Sequence, residues 1–227
     1  MTITILTLFP EMFERIISTS ILGRAQKKGL VKIRLVNLRD FAIDKRGTVD
    51  DRPYGGGVGM LLRVDVVEKA ITENSLPAGK AGKRKTEDGK KEKVVLLDPG
   101  GMQFTQAKAR NYAKLDHLML ICGHYEGIDS RIVNFVDESL TIGKYVLTGG
   151  ELPAMVVTDA IIRLIPGVLE KNEATLDESY TKRGKLEALQ YTRPPVYKGL
   201  KVPQVLLLGN HREIAKWRKA SSLNRSK

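Results

Sequence analysis

Ile142-Gly-Lys-Tyr-Val-Leu-Thr-Gly-Gly-Glu-Leu-Pro-Ala-Met155 joins a glycine-rich turn to the start of a helix. Gly149 and Gly150 remove two Cβ atoms where an apolar strand stops, and Pro153 suits a first helical turn, where its missing N–H had no partner anyway. Alone, this is an ordinary strand-to-helix turn, since glycine punctuates turns everywhere. A second loop of the same kind, Cys122-Gly-His-Tyr-Glu-Gly-Ile-Asp129, follows the apolar run Leu118 to Ile121. In an open α/β sheet, ligands sit beyond the carboxyl ends of strands where loops converge, so the two loops read as one pocket.

Outward from that pair, strands alternate with helices. Strands are expected at Met1 to Leu8, Val31 to Leu38, Val94 to Asp98, Leu118 to Cys122 and Ser139 to Ile142. Helices are expected from Glu11, at Val64 to Thr72, Thr105 to Leu115, near Arg131 and at Glu151 to Leu164. The alternation predicts an α/β fold, a mostly parallel sheet with helices on both faces. Ile165-Pro-Gly-Val breaks the pattern, and Glu170 to Lys185 is polar and short of core residues. The expected organisation is a domain over 1–166, a linker over 167–185 and a small helical domain over 186–227. In the last, Arg193-Pro-Pro195 makes a turn and helices fall at Val205 to Leu208 and Arg212 to Ala220.

Composition narrows the function classes. The 227 residues are 42% hydrophobic and 28% charged, ordinary for a chain with one good core and an appendage. No apolar run approaches the ~20 residues that cross a bilayer, and Met1 to Pro10 lacks a basic leader, so a cytoplasmic protein without membrane contact is expected. The single cysteine, Cys122, sits inside an apolar run and reads as a buried small hydrophobe rather than a nucleophile. The three histidines, His117, His124 and His211, have no metal-ligand spacing, which argues against zinc.

The net charge of +12 is concentrated. Lys80 to Lys93 holds seven basic and three acidic residues, and reads as a solvated loop. His211 to Lys227 holds six basic and one acidic residue, with Ile214 and Trp217 at helical spacing, and reads as a folded basic helix facing a polyanion. Asp50-Asp-Arg-Pro-Tyr-Gly-Gly-Gly-Val-Gly-Met60 cannot pack a core and is a surface loop with a task. It is not a dinucleotide loop, because it follows a polar loop rather than a strand, and no Gly-Lys-Ser/Thr closes it as a phosphate loop.

Together these residues resemble the bacterial tRNA (guanine-N1)-methyltransferases of the SPOUT superfamily. The resemblance is carried in order by Leu8-Phe-Pro-Glu-Met-Phe13, Val49 to Met60, Cys122 to Asp129, Gly149 to Met155, Arg163-Leu-Ile-Pro-Gly167, Tyr191-Thr-Arg-Pro194, Gly209-Asn-His211 and Trp217-Arg218. It implies a trefoil-knotted domain, an exception to the rule that chains do not thread themselves. It also implies a homodimer with sites at the interface, tRNA as partner, no part for DNA, and S-adenosyl-L-methionine as cofactor. Cofactor contacts would come from Pro99, Gly123, Tyr125, Glu126, Ile142, Gly143, Lys144, Tyr145, Val146, Leu147, Gly149, Gly150 and Pro153. Glu126 reads equally as a structural hydrogen-bond acceptor.

The reaction so implied is methylation at N1 of the guanine just 3′ of the anticodon, tRNA position 37. Guanine N1 becomes a good nucleophile only as its proton leaves, so a carboxylate base is needed, and charge moving onto O6 needs a cation. The resemblance gives the cation to Arg163 and the base to the linker pair Asp177-Glu178, with Asp177 favoured over its neighbour. Asp50 and Gly59 would belong to the substrate loop, and Arg218 to the tRNA contact. Lys144 stands where the family usually has Asp, Arg46 where it has His and Leu208 where it has Ser, and the family's terminal helices extend further beyond Trp217 than this sequence does. Two other readings fit the basic segments and glycine loops: a related methyltransferase with a different RNA target, and an RNA-binding protein without catalysis.

Overall fold

The structure, a computed structural model, describes residues 1–76, 89–170, 178–181 and 185–225. Two compact units divide the chain, Met1–Glu170 and Lys171–Lys227.

The elements of the first unit follow the expected alternation. They are β1 (Thr2–Thr7), α1 (Glu14–Ser18), α2 (Ser20–Lys27), β2 (Lys32–Asn37), β3 (Asp50–Asp51), β4 (Leu61–Leu62), α3 (Val64–Asn74), β5 (Glu92–Gln103), α4 (Gln106–Tyr112), β6 (His117–Cys122), β7 (Glu138–Thr141) and α5 (Glu151–Ile162). Five strands form one sheet in the order β2-β1-β6-β5-β7, every pair parallel. A parallel sheet is covered on both faces, which explains why its inner strands are nearly continuous apolar runs. Alternate residues of β6 feed two cores. Leu118, Leu120 and Cys122 join Phe13, Leu22, Tyr112, Ala154, Val157 and Ile161 on one side. Met119 and Ile121 join Leu38, Val66, Val67, Ile71 and Ile132 on the other.

Two elements differ from the sequence reading. The helix expected from Glu11 is split into a 3₁₀ turn at Pro10–Met12, α1 and α2, with Ser20 at φ 51°. Here the chain doubles back so tightly that a Cβ on Gly23 would lie 2.2 Å from the Ser18 carbonyl oxygen. The strand expected to stop at Asp98 runs on to Gln103, with a register shift against β7 between Leu97 and Met102. Gly101 permits this, because a Cβ there would lie 2.4 Å from the Leu140 amide nitrogen. The bulge so formed aims Asp98 to Gly100 away from the sheet.

Two buried polar clusters lie apart from the strand ends that carry the glycine loops. His117 joins Thr4 Oγ1 at 2.8 Å to Glu92 Oε1 at 2.7 Å, and Glu92 also accepts the Leu76 amide at 2.9 Å. Glu138, at the start of β7, accepts from Lys93 at 2.6 Å, from Tyr112 Oη at 2.7 Å and from Lys108. Burial works to raise the Glu138 carboxyl, but the bonds from Lys108, Lys93 and Tyr112 outweigh it and bring the group down to about 2. Burial and the same carboxylate push the Tyr112 hydroxyl well above its usual value.

A carboxyl depressed by folding stabilises above its unfolded value of 4.5 and loses that contribution as pH falls toward 2. The partly exposed lysines discount the gain, so Glu138→Gln is expected to cost about 1–3 kcal/mol at neutral pH. Chemical denaturation of parent and variant should then converge between pH 5 and about 2; a constant gap over that range removes the ion cluster as its source.

The second unit contains a two-residue hairpin, β8 (Val196–Tyr197) and β9 (Leu200–Lys201), and the helix α6 (His211–Arg225). Lys198 and Gly199, both at positive φ, make its turn, which matches the twist of the paired strands. The hairpin was not legible in the sequence, and the helix expected at Val205 to Leu208 is a single 3₁₀ turn, Gln204–Leu206. Asn210 Oδ1 accepts the amides of Arg212 and Glu213, so α6 starts at His211. Tyr191 packs on Trp217 with ring centroids 6.1 Å apart, and Ser221 accepts the Leu189 amide. Most of the linker and of the basic loop after Leu76 lies outside the described residues.

Candidate functional site

The loops that leave β6 and β7 at their C-terminal ends, together with the bulge of β5 that follows Leu97, enclose a cavity of about 220 Å³. Of the residues expected there, Pro99, Gly123, Tyr125, Glu126, Ile142, Gly143, Tyr145, Val146, Leu147, Gly149, Gly150 and Pro153 line it. Lys144 lies exposed between two lining residues and does not itself line the wall. Leu97, Asp98, His124, Gly127, Ile128, Leu140, Thr141 and Thr148 complete the lining; His124, Gly127, Ile128 and Thr148 belong to the two loops already read as one pocket, and sequence reasoning missed Leu97, Asp98, Leu140 and Thr141. Asp98 carried a signal, being the charged residue that ends the run Val94 to Leu97.

The loops hold one another through backbone. Gly150 N donates to Gly123 O at 2.8 Å, and His124 and Gly149 form an antiparallel bridge. The space left by the missing Gly150 side chain is taken by protein and not by the cavity. A Cβ there would lie 2.6 Å from Cys122 Cα and 3.0 Å from Gly123 N, so this glycine packs its loop onto the end of β6. Its φ of −81° is accessible to any residue, so the constraint is close approach and not backbone strain. Gly143 serves similarly, with the Tyr145 ring laid across it.

The loop Asp50 to Met60 joins the same construction. Glu126 N donates to Met60 O at 3.1 Å, Leu62 N to Gly127 O at 2.9 Å and Asp129 N to Leu62 O at 3.0 Å. Asp50 is half-buried in the short ladder of β3 with β4. Gly59, at φ 86°, lies under the Glu126 side chain, where a Cβ would be 2.4 Å from Glu126 Cγ. The missing side chain at Gly59 lets Glu126 cross it.

Cys122 is fully buried beneath the loops, and burial, assisted by Glu151, pushes its thiol well above the usual range, which makes it inert as a nucleophile. Glu151 opens α5 and is itself buried, accepting from Thr7 Oγ1 at 2.8 Å.

The residues expected to act on the substrate do not all meet this cavity. Arg163 caps the C-terminal end of α5, whereas Gly150 and Pro153 line the cavity at its other end. A helix of this length separates the two by roughly 18 Å. Asp177 lies outside the described residues, and Glu178 is half-buried with its carbonyl oxygen accepting from Thr181. Arg218 is exposed on α6 of the second unit.

A parallel α/β sheet with two glycine loops gathered over the ends of its strands, beside a glycine-bearing bulge of β5, has the architecture of a ligand-binding α/β domain. The chain belongs to the family described as tRNA (Guanine-1)-methyltransferase TrmD, whose model matches residues 1–227. It is 49% identical over 227 residues to the tRNA (guanine-N(1)-)-methyltransferase of Geobacillus kaustophilus, covering 100% of this chain and 88% of that protein. The corresponding protein of Pelotomaculum thermopropionicum is 50% identical over 100% of this chain and 86% of its own length, and that of Bacillus subtilis 47% over 100% and 89%. The SPOUT-class α/β sheet expected from the motifs agrees with the five parallel strands observed.

Proposed function

We propose that this enzyme transfers a methyl group from S-adenosylmethionine to N1 of the guanine at tRNA position 37, in the cytoplasm, as a knotted homodimer. The observation that carries the reading is the cavity, framed by both glycine loops in a chain that matches the family over its whole length. No helix among the described residues is long and apolar enough to cross a membrane.

The lining suits this cofactor. Leu140, Ile142, Val146, Leu147 and Pro153 offer apolar surface for a purine, Asp98 and Glu126 offer acceptors for hydroxyl or ammonium groups, and glycines leave backbone amides within reach. S-adenosylmethionine supplies, when bound, a methyl group on a sulfonium. With the methyl group so supplied, the Asp177 carboxylate would take the N1 proton and the Arg163 guanidinium would face the charge gathering on O6.

One chain keeps Arg163 a helix length from its own cavity, which favours a site completed by a second copy. Apolar side chains left exposed beside the cavity support the same arrangement: Leu152 and Val156 one turn apart on α5, with Tyr145 and Val146 on the neighbouring loop. Two inactive variants then complement each other. Mixing Gly150→Val with Asp177→Asn chains gives heterodimers with one site of two intact, and since about half the dimers are mixed, activity recovers to roughly a quarter of the parent. No recovery after verified subunit exchange means that each chain completes its own site.

The second unit supplies cationic contacts from α6. Arg218→Ala is expected to weaken binding to all tRNAs alike and to flatten the dependence of log affinity on log salt by about one unit at most. An unchanged slope returns Arg218 to a solvated surface. The central test is methyl transfer to unmodified tRNA followed by nucleoside analysis: 1-methylguanosine at position 37 is the expected product, and another methylated nucleoside overturns the assignment.

A further inference from the structure

The hairpin of β8 and β9 stands in solvent with its apolar residues uncovered. Every residue from Leu189 to Lys201 is exposed, and Val196, Tyr197 and Leu200 are 50%, 60% and 76% exposed. Val196 pairs with Lys201 and Tyr197 with Leu200, so the tyrosine and the leucine share one face of the ribbon. The Lys198 ammonium lies over the Tyr197 ring, 5.6 Å from its centroid. It does so from the left-handed conformation, φ 48°, which asparagine or glycine adopts more readily at such a turn. A two-stranded hairpin by itself is marginal in water, and this one gains from a surface laid against its apolar face.

The charge around the hairpin selects that surface. From Ala188 to Arg212 the sequence holds no Asp or Glu, while Arg193, Lys198, Lys201 and Arg212 fall in it together with Tyr191 and Tyr197. The carboxylates at its borders are engaged, Glu187 by Gln190 and Glu213 by Lys216. A second copy of this chain is a poor match, since it carries the same net charge of +12. Cations interleaved with exposed aromatic rings suit a nucleic acid, phosphates meeting the lysines and a base meeting the ring. We propose that the face shared by Tyr197 and Leu200 is a stacking platform for an unpaired nucleobase of the tRNA, with Lys198 and Lys201 on the phosphates beside it. A paired stem does not fit: the major groove of A-form RNA is too deep and narrow to read, and its bases are stacked on one another, whereas a base in a loop or at an end offers a free face. The Lys198 ammonium covers the ring until the base arrives, and its flexible stem then carries it to the adjoining phosphate. This contact differs in kind from the phosphate contacts of α6, because stacking on a ring releases no counterion.

This rests on tRNA as the substrate, and the test keeps the two separate. The probes are an unmodified tRNA transcript and a fully paired RNA duplex with the same number of nucleotides, each bound by the full chain over a series of salt concentrations. Tyr197→Ala should bind tRNA on the order of 10-fold more weakly than the parent, with an unchanged slope of log affinity against log salt. It should bind the duplex as the parent does, which also shows that the variant is folded. Tyr197→Phe keeps the ring and should match the parent on both probes. Lys198→Gln and Lys201→Gln should each flatten the salt slope by about one unit at most. Parent-like affinity of Tyr197→Ala for tRNA overturns the platform, and so does an equal loss on tRNA and duplex. A Tyr197→Ala chain that loses self-association in RNA-free sedimentation makes the hairpin a contact between copies, which overturns it too. Methylation of another nucleoside with the Tyr197 effect intact leaves the platform standing and removes the position-37 assignment; a parent chain that binds neither RNA removes both.

Discussion

Asp177→Asn is expected to lower the rate of methyl transfer to unmodified tRNA by about 10²-fold or more while S-adenosylmethionine binds as it does to the parent chain. Guanine N1 is protonated at neutral pH, and alkylating it without removing the proton would place a positive charge on the ring in the transition state. An amide in place of the carboxylate keeps the shape and loses the proton acceptor. Rate and cofactor affinity therefore separate, which a general loss of structure does not allow. Single-turnover kinetics with saturating cofactor measures the effect directly. If Glu178→Gln is the damaging substitution and Asp177→Asn is mild, the base is the neighbouring carboxylate; if both are mild, proton removal by the linker is wrong.

Gly150→Val should abolish cofactor binding, with a loss of about 10²-fold or more, through the floor of the cavity rather than by filling it. The valine Cβ would have to occupy space 2.6 Å from Cys122 Cα, and β6 is fully buried and cannot yield. The loop must move instead, breaking the bond from Gly150 N to Gly123 O and drawing Gly149 away from His124. Overpacking of this kind also costs about 1–3 kcal/mol of stability, visible as a lowered melting temperature. Parent-like affinity for S-adenosylmethionine in a folded Gly150→Val protein would show that this joint does not shape the site.

Much of the site was legible before the structure because its signals are local. An apolar run covered on both faces reads as a buried parallel strand, and glycines placed where such a run stops read as a loop that a ligand can approach. Both glycine loops, the strands beneath them and the helix from Glu151 followed from that reasoning. The likeness of the motifs to one family, rather than any single spacing, supplied the expectation of the cofactor, the substrate and the roles of Asp177 and Arg163.

What the residues of one segment could not reveal was which distant segment they touch. Pro99-Gly100-Gly101 reads as a strand terminator, yet β5 continues through it because Leu140 passes against the bare α-carbon of Gly101. Gly59 read as a substrate-loop residue, and its spatial neighbour is Glu126.

By itself, the sequence determined the α/β alternation, the strand-end loops, the basic character of α6 and the family. The first three depend on periodicity, backbone preference and composition, which act between neighbours along the chain; the family rests on the likeness of the motifs. Tertiary structure alone decided that Gly150 is a packing contact on Cys122 and that Gly101 lets β5 run on against Leu140. Each is set by close approach between backbones far apart in sequence, where tenths of an ångström settle whether a side chain fits, and no local pattern encodes that distance.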